Sequence, residues 1–130
     1  MTECGILNYL KDSGVNCEEM VEHRNGSNFE LLKIPFSSGR KRETSVVTLP
    51  DGTIRVFVKG APEIVVEKCK LYFAADGRPE VLSSAIQEKI ENVNKEFAGK
   101  CYRNIMVAYA DISRDDFERM KSETNNFKTN

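Results

Sequence analysis

Ile54 to Val58 alternates apolar and polar positions, and Thr44 to Leu49 precedes it across Pro50-Asp51-Gly52-Thr53. Proline presets one dihedral and glycine accepts a positive one, so the pattern predicts a β-hairpin over Thr44–Leu49 and Ile54–Lys59. Phe29 to Phe36 reads as another strand, with Leu32, Ile34 and Phe36 on one side and Pro35 marking an edge or a strand end. Thr2 opens a helix through about Lys11, carrying Ile6, Leu7 and Leu10 on one face with Gly14 beyond its end. A polar stretch holding Glu18, Glu19 and Glu22 leads to a turn at Asn25-Gly26. A short helix is expected from Pro62 to about Cys69, and Asp76-Gly77-Arg78-Pro79 is a turn. Ser84 and Gln87 form a capping box ahead of Ile86, Ile90, Val93 and Phe97, with Gly99 closing that helix and its apolar stripe read as core. Asn104 to Asp111 is a strand, and Ser113 with Asp115 and Asp116 opens a last helix holding Phe117 and Met120.

Strands arrive as hairpins with helices between them, which predicts an α+β fold: an antiparallel sheet flanked by helices. The 130 residues are the size of one domain, and 40% hydrophobic content is enough for one core. The domain is placed at residues 1–121, and residues 122–130 read as a polar, frayed tail. A net charge of −1 with dispersed charges points to no nucleic acid and no membrane surface. The longest apolar runs, such as Ile64-Val65-Val66, fall far short of the roughly 20 residues that cross a bilayer. Cys4, Cys17, Cys69 and Cys101 lie far apart and His23 is the sole histidine, which suits reduced thiols in a cytosolic domain better than a zinc site or a disulfide framework.

One run is more specific. Val58-Lys59-Gly60-Ala61-Pro62-Glu63 ends a strand, reverses at a glycine and enters a helix at proline, which would hold Lys59 at a sheet edge. An exposed strand-end lysine is the plain reading of Lys59. The run resembles the KGAPE motif of the nucleotide-binding domain of P-type cation-transporting ATPases. Thr2-Glu3-Cys4, Phe36-Ser37-Ser38-Gly39-Arg40-Lys41-Arg42 and Tyr102-Arg103-Asn104-Ile105 resemble other segments of that family in the same order. The resemblance runs from about Thr2 to Ile112. Ser38 and Val107-Ala108-Tyr109 bring it nearest to the plasma-membrane type of calcium pump.

The resemblance implies a twisted antiparallel sheet flanked by helices and an ATP site. By motif, Phe36 is the residue on which adenine stacks, Glu3 lies near the adenine amino group, Lys41 near the phosphates, Lys59 with Gly60 lines the pocket, and Arg103 reaches a phosphate. These are the chemistries a nucleotide needs: an aromatic face, an acceptor for the ring edge, and cations. Each also has an ordinary reading: Phe36 as core, Glu3 as a favourable charge at a helix start, the Gly39–Arg42 cluster as a solvated turn. Two departures bear on the site. Ser38 removes an arginine found in some relatives, shifting weight to Lys41, Arg40 and Arg103, and Cys101 stands where many relatives have glycine or serine.

The sequence contains no D-K-T-G-T, so the aspartate phosphorylated in the family is absent and no catalytic residue is assigned. The expected function is therefore an ATP-binding fragment of a calcium-transporting ATPase that presents ATP to an aspartate on a neighbouring domain without consuming it. Its partners would be ATP and the phosphorylation and actuator domains of the parent pump, with Mg held mainly outside this fragment and no metal site of its own. The setting is a cytosolic domain of an integral membrane protein. Further strands precede the corresponding start in the family, so Met1 is read as an artificial start and the sheet as missing a part. The rival reading is a noncatalytic interaction or regulatory domain of the same fold that has lost nucleotide affinity.

Overall fold

The computed structural model describes residues 2–20 and 29–128. Helix α1 (Thr2–Asp12) comes first. Residues 17–20 are helical too, started by Asn16, whose Oδ1 accepts from the Glu19 N–H while its Nδ2 donates to the Glu19 carboxylate. That reciprocal cap was present in the sequence as Asn-x-x-Glu within the polar stretch. The turn expected at Asn25-Gly26 lies outside the described residues.

Strands β1 (Glu30–Ser37), β2 (Arg42–Thr48), β3 (Ile54–Gly60) and β6 (Met106–Ile112) form an antiparallel sheet in the order β1-β2-β3-β6. The hairpin turn is closed as the sequence predicts: Gly52 takes φ +87° and its N–H donates to the Leu49 carbonyl, while the Thr53 N–H donates to Asp51 Oδ1. β2 and β3 then pair without interruption from Thr48–Ile54 to Arg42–Gly60. Pro35 does lie on an outer strand, but the strand continues past it to Ser37. The register with β2 slips between Ile34 and Ser37, where an extra residue is taken up as a bulge. Proline tolerates such a place because it has no N–H to leave unpaired. The bulge also breaks the expected side: Phe36 does not share the face of Leu32 and Ile34 but is 59% exposed.

One face of the sheet carries the core. Val46 and Ile54 are buried with Phe117 of α4 (Arg114–Lys128), and Leu32, Val56, Ile112 and Met120 pack around them. Helix α4 is capped by Ser113, whose Oγ accepts from the Asp116 N–H. It continues beyond Ser122, where a tail was expected, through Lys128. Helix α2 (Pro62–Val65) and a 3₁₀ turn (Val66–Lys68) replace the single short helix predicted there, burying Val65 and Val66.

A small second sheet, β4 (Leu71–Phe73) with β5 (Pro79–Val81), brackets the predicted Asp76-Gly77 turn, and Tyr72 donates to its cross-strand partner Glu80. Helix α3 (Ser84–Gly99) corrects the sequence reading at both ends. The cap is Ser83, which accepts from the Ile86 N–H, so Ser84 and Gln87 form no capping box. The closing residue is not Gly99 either. The Tyr102 N–H donates to the Phe97 carbonyl and the Cys101 N–H to that of Ala98, a Schellman motif with Cys101 left-handed at φ +61°. The stripe on α3 is only partly covered: Val93 and Phe97 are 48% and 38% exposed. Ile90, in the middle of the stripe, is half-buried and borders an open cleft of about 650 Å³.

A left-handed conformation costs a residue with a Cβ about 1–2 kcal/mol, and glycine almost nothing. Cys101→Gly is therefore expected to raise stability by about 1 kcal/mol, read as a higher urea midpoint at unchanged slope. An unchanged midpoint would mean that Cys101 is not held left-handed in solution.

Candidate functional site

Ser37, Arg42, Gly60 and Met106 are partners in register, making a row across one end of the four-stranded sheet. The residues singled out from the sequence gather along it. Phe36 precedes Ser37, Lys41 precedes Arg42, and Lys59 and Gly60 end β3. Arg103 lies just before β6, and Glu3 reaches the row from α1.

The loop between β1 and β2 is seated on Gly60. The Lys41 N–H donates to the Ser37 carbonyl, and the Lys41 carbonyl accepts from the Ala61 N–H at 3.0 Å. Lys41 itself takes φ +52°, a backbone conformation that only a few per cent of non-glycine residues adopt. A Cβ at Gly60 would stand 2.4 Å from the Lys41 carbonyl oxygen and 2.8 Å from Arg42 Cα, so glycine is required by the approach of this loop and not by its own dihedrals. Pro62 then starts α2 with no N–H to satisfy.

Lys59 Nζ donates to Glu3 Oε1 at 2.9 Å, which ties the first turn of α1 to the end of β3. This hydrogen bond, with one from Glu3's own backbone N–H and the attraction of the ammonium, holds the Glu3 carboxyl below its ordinary range. A depressed carboxyl stabilises the fold above its ordinary titration range, and that contribution is lost as pH falls through the lowered value. Arg103 lines a shallow cleft of about 350 Å³ with Thr2, Gly5, Ile6 and Tyr9 of α1 and with Ile105. Lys41 and Arg103 are both exposed, and neither has an ion-pair partner among the described residues. Arg40 differs: its guanidinium folds back on β1, donating to Ser37 Oγ at 3.1 Å and to the Pro35 carbonyl.

The larger cleft touches this row only at Met106 and extends away from it between β6, α3 and the small sheet; its walls are chiefly apolar, with Val56, Val58 and Val65 among them. It contains neither the carboxylate nor the arginine that a nucleotide would use, so size alone does not locate the site. None of the four cysteines is paired, and no group of metal-ligating side chains is assembled among the described residues.

Sequence reading overlooked Glu43. It is the partner of Lys59 across β2 and β3, and its carboxylate lies 3.7 Å from Lys33 Nζ. Counting outward from the Pro50–Thr53 turn would pair Lys59 with Thr44; the observed register sets Thr48 opposite Ile54, leaves Leu49 in the loop, and so brings Glu43 to Lys59.

A model of one protein family, described as P-type ATPase, cytoplasmic domain N, matches residues 1–130. The chain belongs to the P-type ATPase N-domain family. Among relatives of this N domain, "Probable calcium-transporting ATPase 8, plasma membrane-type" of Oryza sativa subsp. japonica is 33% identical over 126 residues, covering 97% of this chain and 12% of that protein. "Calcium-transporting ATPase PAT1" of Dictyostelium discoideum is 33% identical over 126 residues, covering 96% of this chain and 11% of its own length. "Plasma membrane calcium-transporting ATPase 1" of Gallus gallus is 34% identical over 114 residues, or 85% of this chain and 9% of that protein. The chain thus spans about a tenth of the length of these relatives. No helix of the described N domain is long and apolar enough to cross a membrane.

Proposed function

We propose that this N domain binds ATP at the Ser37–Arg42–Gly60–Met106 end of its sheet and presents it to an aspartate on another domain of a calcium-transporting ATPase. The observation that carries this reading is the convergence of Phe36, Lys41, Lys59, Gly60 and Arg103, with Glu3, on that one row although they come from separate segments.

The residues suit the ligand. Phe36, exposed, offers a ring face to adenine, and the Glu3 carboxylate offers an acceptor to its amino group. Lys59 and Gly60 form the wall beside it. Lys41 and Arg103, without ion-pair partners among the described residues, are the cations for the phosphates, Arg103 with the fork geometry that fits phosphate oxygens. Arg40, tied to β1, contributes less than its place in the motif suggests. Mg would travel with the nucleotide and be held mainly by another domain, since this one assembles no carboxylate cluster among its described residues. The phosphorylation and actuator domains of the parent are the proposed protein partners.

The test is titration of the chain with ATP, ADP and adenosine, followed by amide NMR shifts and calorimetry, with phosphate release monitored. Stacking of a base on an aromatic contributes roughly 1–3 kcal/mol in nucleic-acid complexes. Phe36→Ala should accordingly weaken ATP and ADP alike by about tenfold or more, whereas Arg103→Ala should penalise ATP and ADP more than adenosine. No phosphate should be released, because the chain supplies no acceptor. Unchanged affinity in folded Phe36→Ala would misplace the adenine site, and absence of nucleotide binding would favour a noncatalytic interaction domain of this fold.

A further inference from the structure

The end of the sheet holds a row of alternating charge. Lys33 Nζ lies 3.7 Å from Glu43 Oε1, Glu43 faces Lys59 as its direct cross-strand partner, and Lys59 Nζ lies 2.9 Å from Glu3 Oε1. Direct partners in an antiparallel pair bring their Cβ atoms to about 4.5–5.5 Å, so Glu43 and Lys59 share one face of the hairpin. They are also the most sheltered members of the row: their side chains are 23% and 27% exposed, against 47% for Lys33 and 64% for Glu3. Shelter from water and salt strengthens the interaction between neighbouring charges.

We propose that Glu43 is a positioning residue for Lys59: placed opposite it across the strands and on the same face, it adds to Glu3 in offsetting the charge of the ammonium and keeps it beside the base instead of the phosphates. This rests on the nucleotide reading above. Lys59 is thereby a poor phosphate ligand although it is a cation in the site, and the charge of the polyphosphate falls to Lys41 and Arg103, which have no such partners among the described residues. Glu43 in this way sets how strongly the site favours a nucleotide over its nucleoside.

The experiment compares the chain with Glu43→Gln, nearly the same shape without the charge, and with Glu43→Asp, which keeps the charge. Calorimetry at low salt gives the ratio of ATP to adenosine affinity, and carboxyl ¹³C NMR follows the titration of Glu3 without ligand. In Glu43→Gln the ratio should rise roughly threefold to fivefold, the size of a partly exposed charge pair, and should shrink toward the native ratio as salt is added. The gain should be graded from AMP through ADP to ATP. Glu43→Asp should stay near the native ratio.

The titration of Glu3 in Glu43→Gln should move to lower pH, because a negative charge that shares the attraction of Lys59 has gone. An unchanged ATP-to-adenosine ratio together with an unmoved Glu3 titration would overturn the proposal. If the native chain binds no nucleotide, the ATP reading fails by itself, and the Glu3 titration alone decides whether Glu43 acts through Lys59. A downward shift supports that coupling, and no shift overturns it.

Discussion

Gly60→Ala is expected to destabilise the chain by about 3 kcal/mol, the upper end of the usual range for forcing extra volume into a packed site. The added methyl would meet backbone on both near sides, 2.4 Å from the Lys41 carbonyl oxygen and 2.8 Å from Arg42 Cα, and no side-chain rotation can relieve that. The loop carrying Lys41 would have to lift. It would then lose the bond between the Ala61 N–H and the Lys41 carbonyl and with it the means of holding Lys41 left-handed. Denaturant unfolding measures the loss directly. Nucleotide titration of whatever folded fraction remains should show ATP weakened more than adenosine, because the moved residue is a proposed phosphate ligand. Stability within about 0.5 kcal/mol of the parent would show that the loop does not rest on Gly60 in solution.

Phe117→Ala should have the largest effect on folding, about 3–5 kcal/mol, the cost of deleting a buried aromatic together with the cavity it leaves. Phe117 is 3% exposed and is the residue by which α4 enters the core of Val46 and Ile54. Marginal domains hold roughly 5–15 kcal/mol in all, so much of this chain's stability would go. Thermal unfolding by circular dichroism should show a fall of at least about 10 °C. Phe117→Leu, which keeps much of the volume, should recover a good part. A small effect of the alanine variant would mean that α4 does not dock on the sheet and that the core is closed by other residues.

The hairpin was readable because its two signals, alternation and a Pro-Asp-Gly-Thr turn, are local and agree. The ends of α3 were less so. Ser83 and Ser84 are chemically the same cap, and only the backbone decides which of them turns. At the other end the left-handed position fell to Cys101, where propensity favours glycine. The small sheet escaped notice because strands as short as Leu71–Phe73 and Pro79–Val81 carry no measurable alternation. Phe36 was assigned to the right segment and the wrong face, since the bulge beside Pro35 is an effect of pairing with β2 and not of β1 alone.

The proposed site followed the same division. Its words were legible one by one, but the ion pair between Glu3 and Lys59 spans 56 residues and depends on where α1 docks. Glu43 was one residue out of reach, because the loop also takes up Leu49 and Lys59 therefore faces Glu43 where a four-residue turn would give it Thr44. Arg40 is a further case: its charge is plain in the sequence, while its commitment to Ser37 and Pro35 comes from the folded loop.

The uninterrupted pairing of β2 with β3 has a consequence for how the gene can change. Val56 and Val58 point to the core face, and Arg55, Phe57 and Lys59 to the other. A single codon inserted within β3 would exchange the two sets beyond it, bringing Lys59 toward the core face and a valine into its place by Glu43. The same codon added between Pro50 and Thr53 would leave both strands in phase and fall on exposed backbone. Length variation at this hairpin should accumulate at its tip, while the strands leading to the Lys59 end tolerate substitution but not insertion.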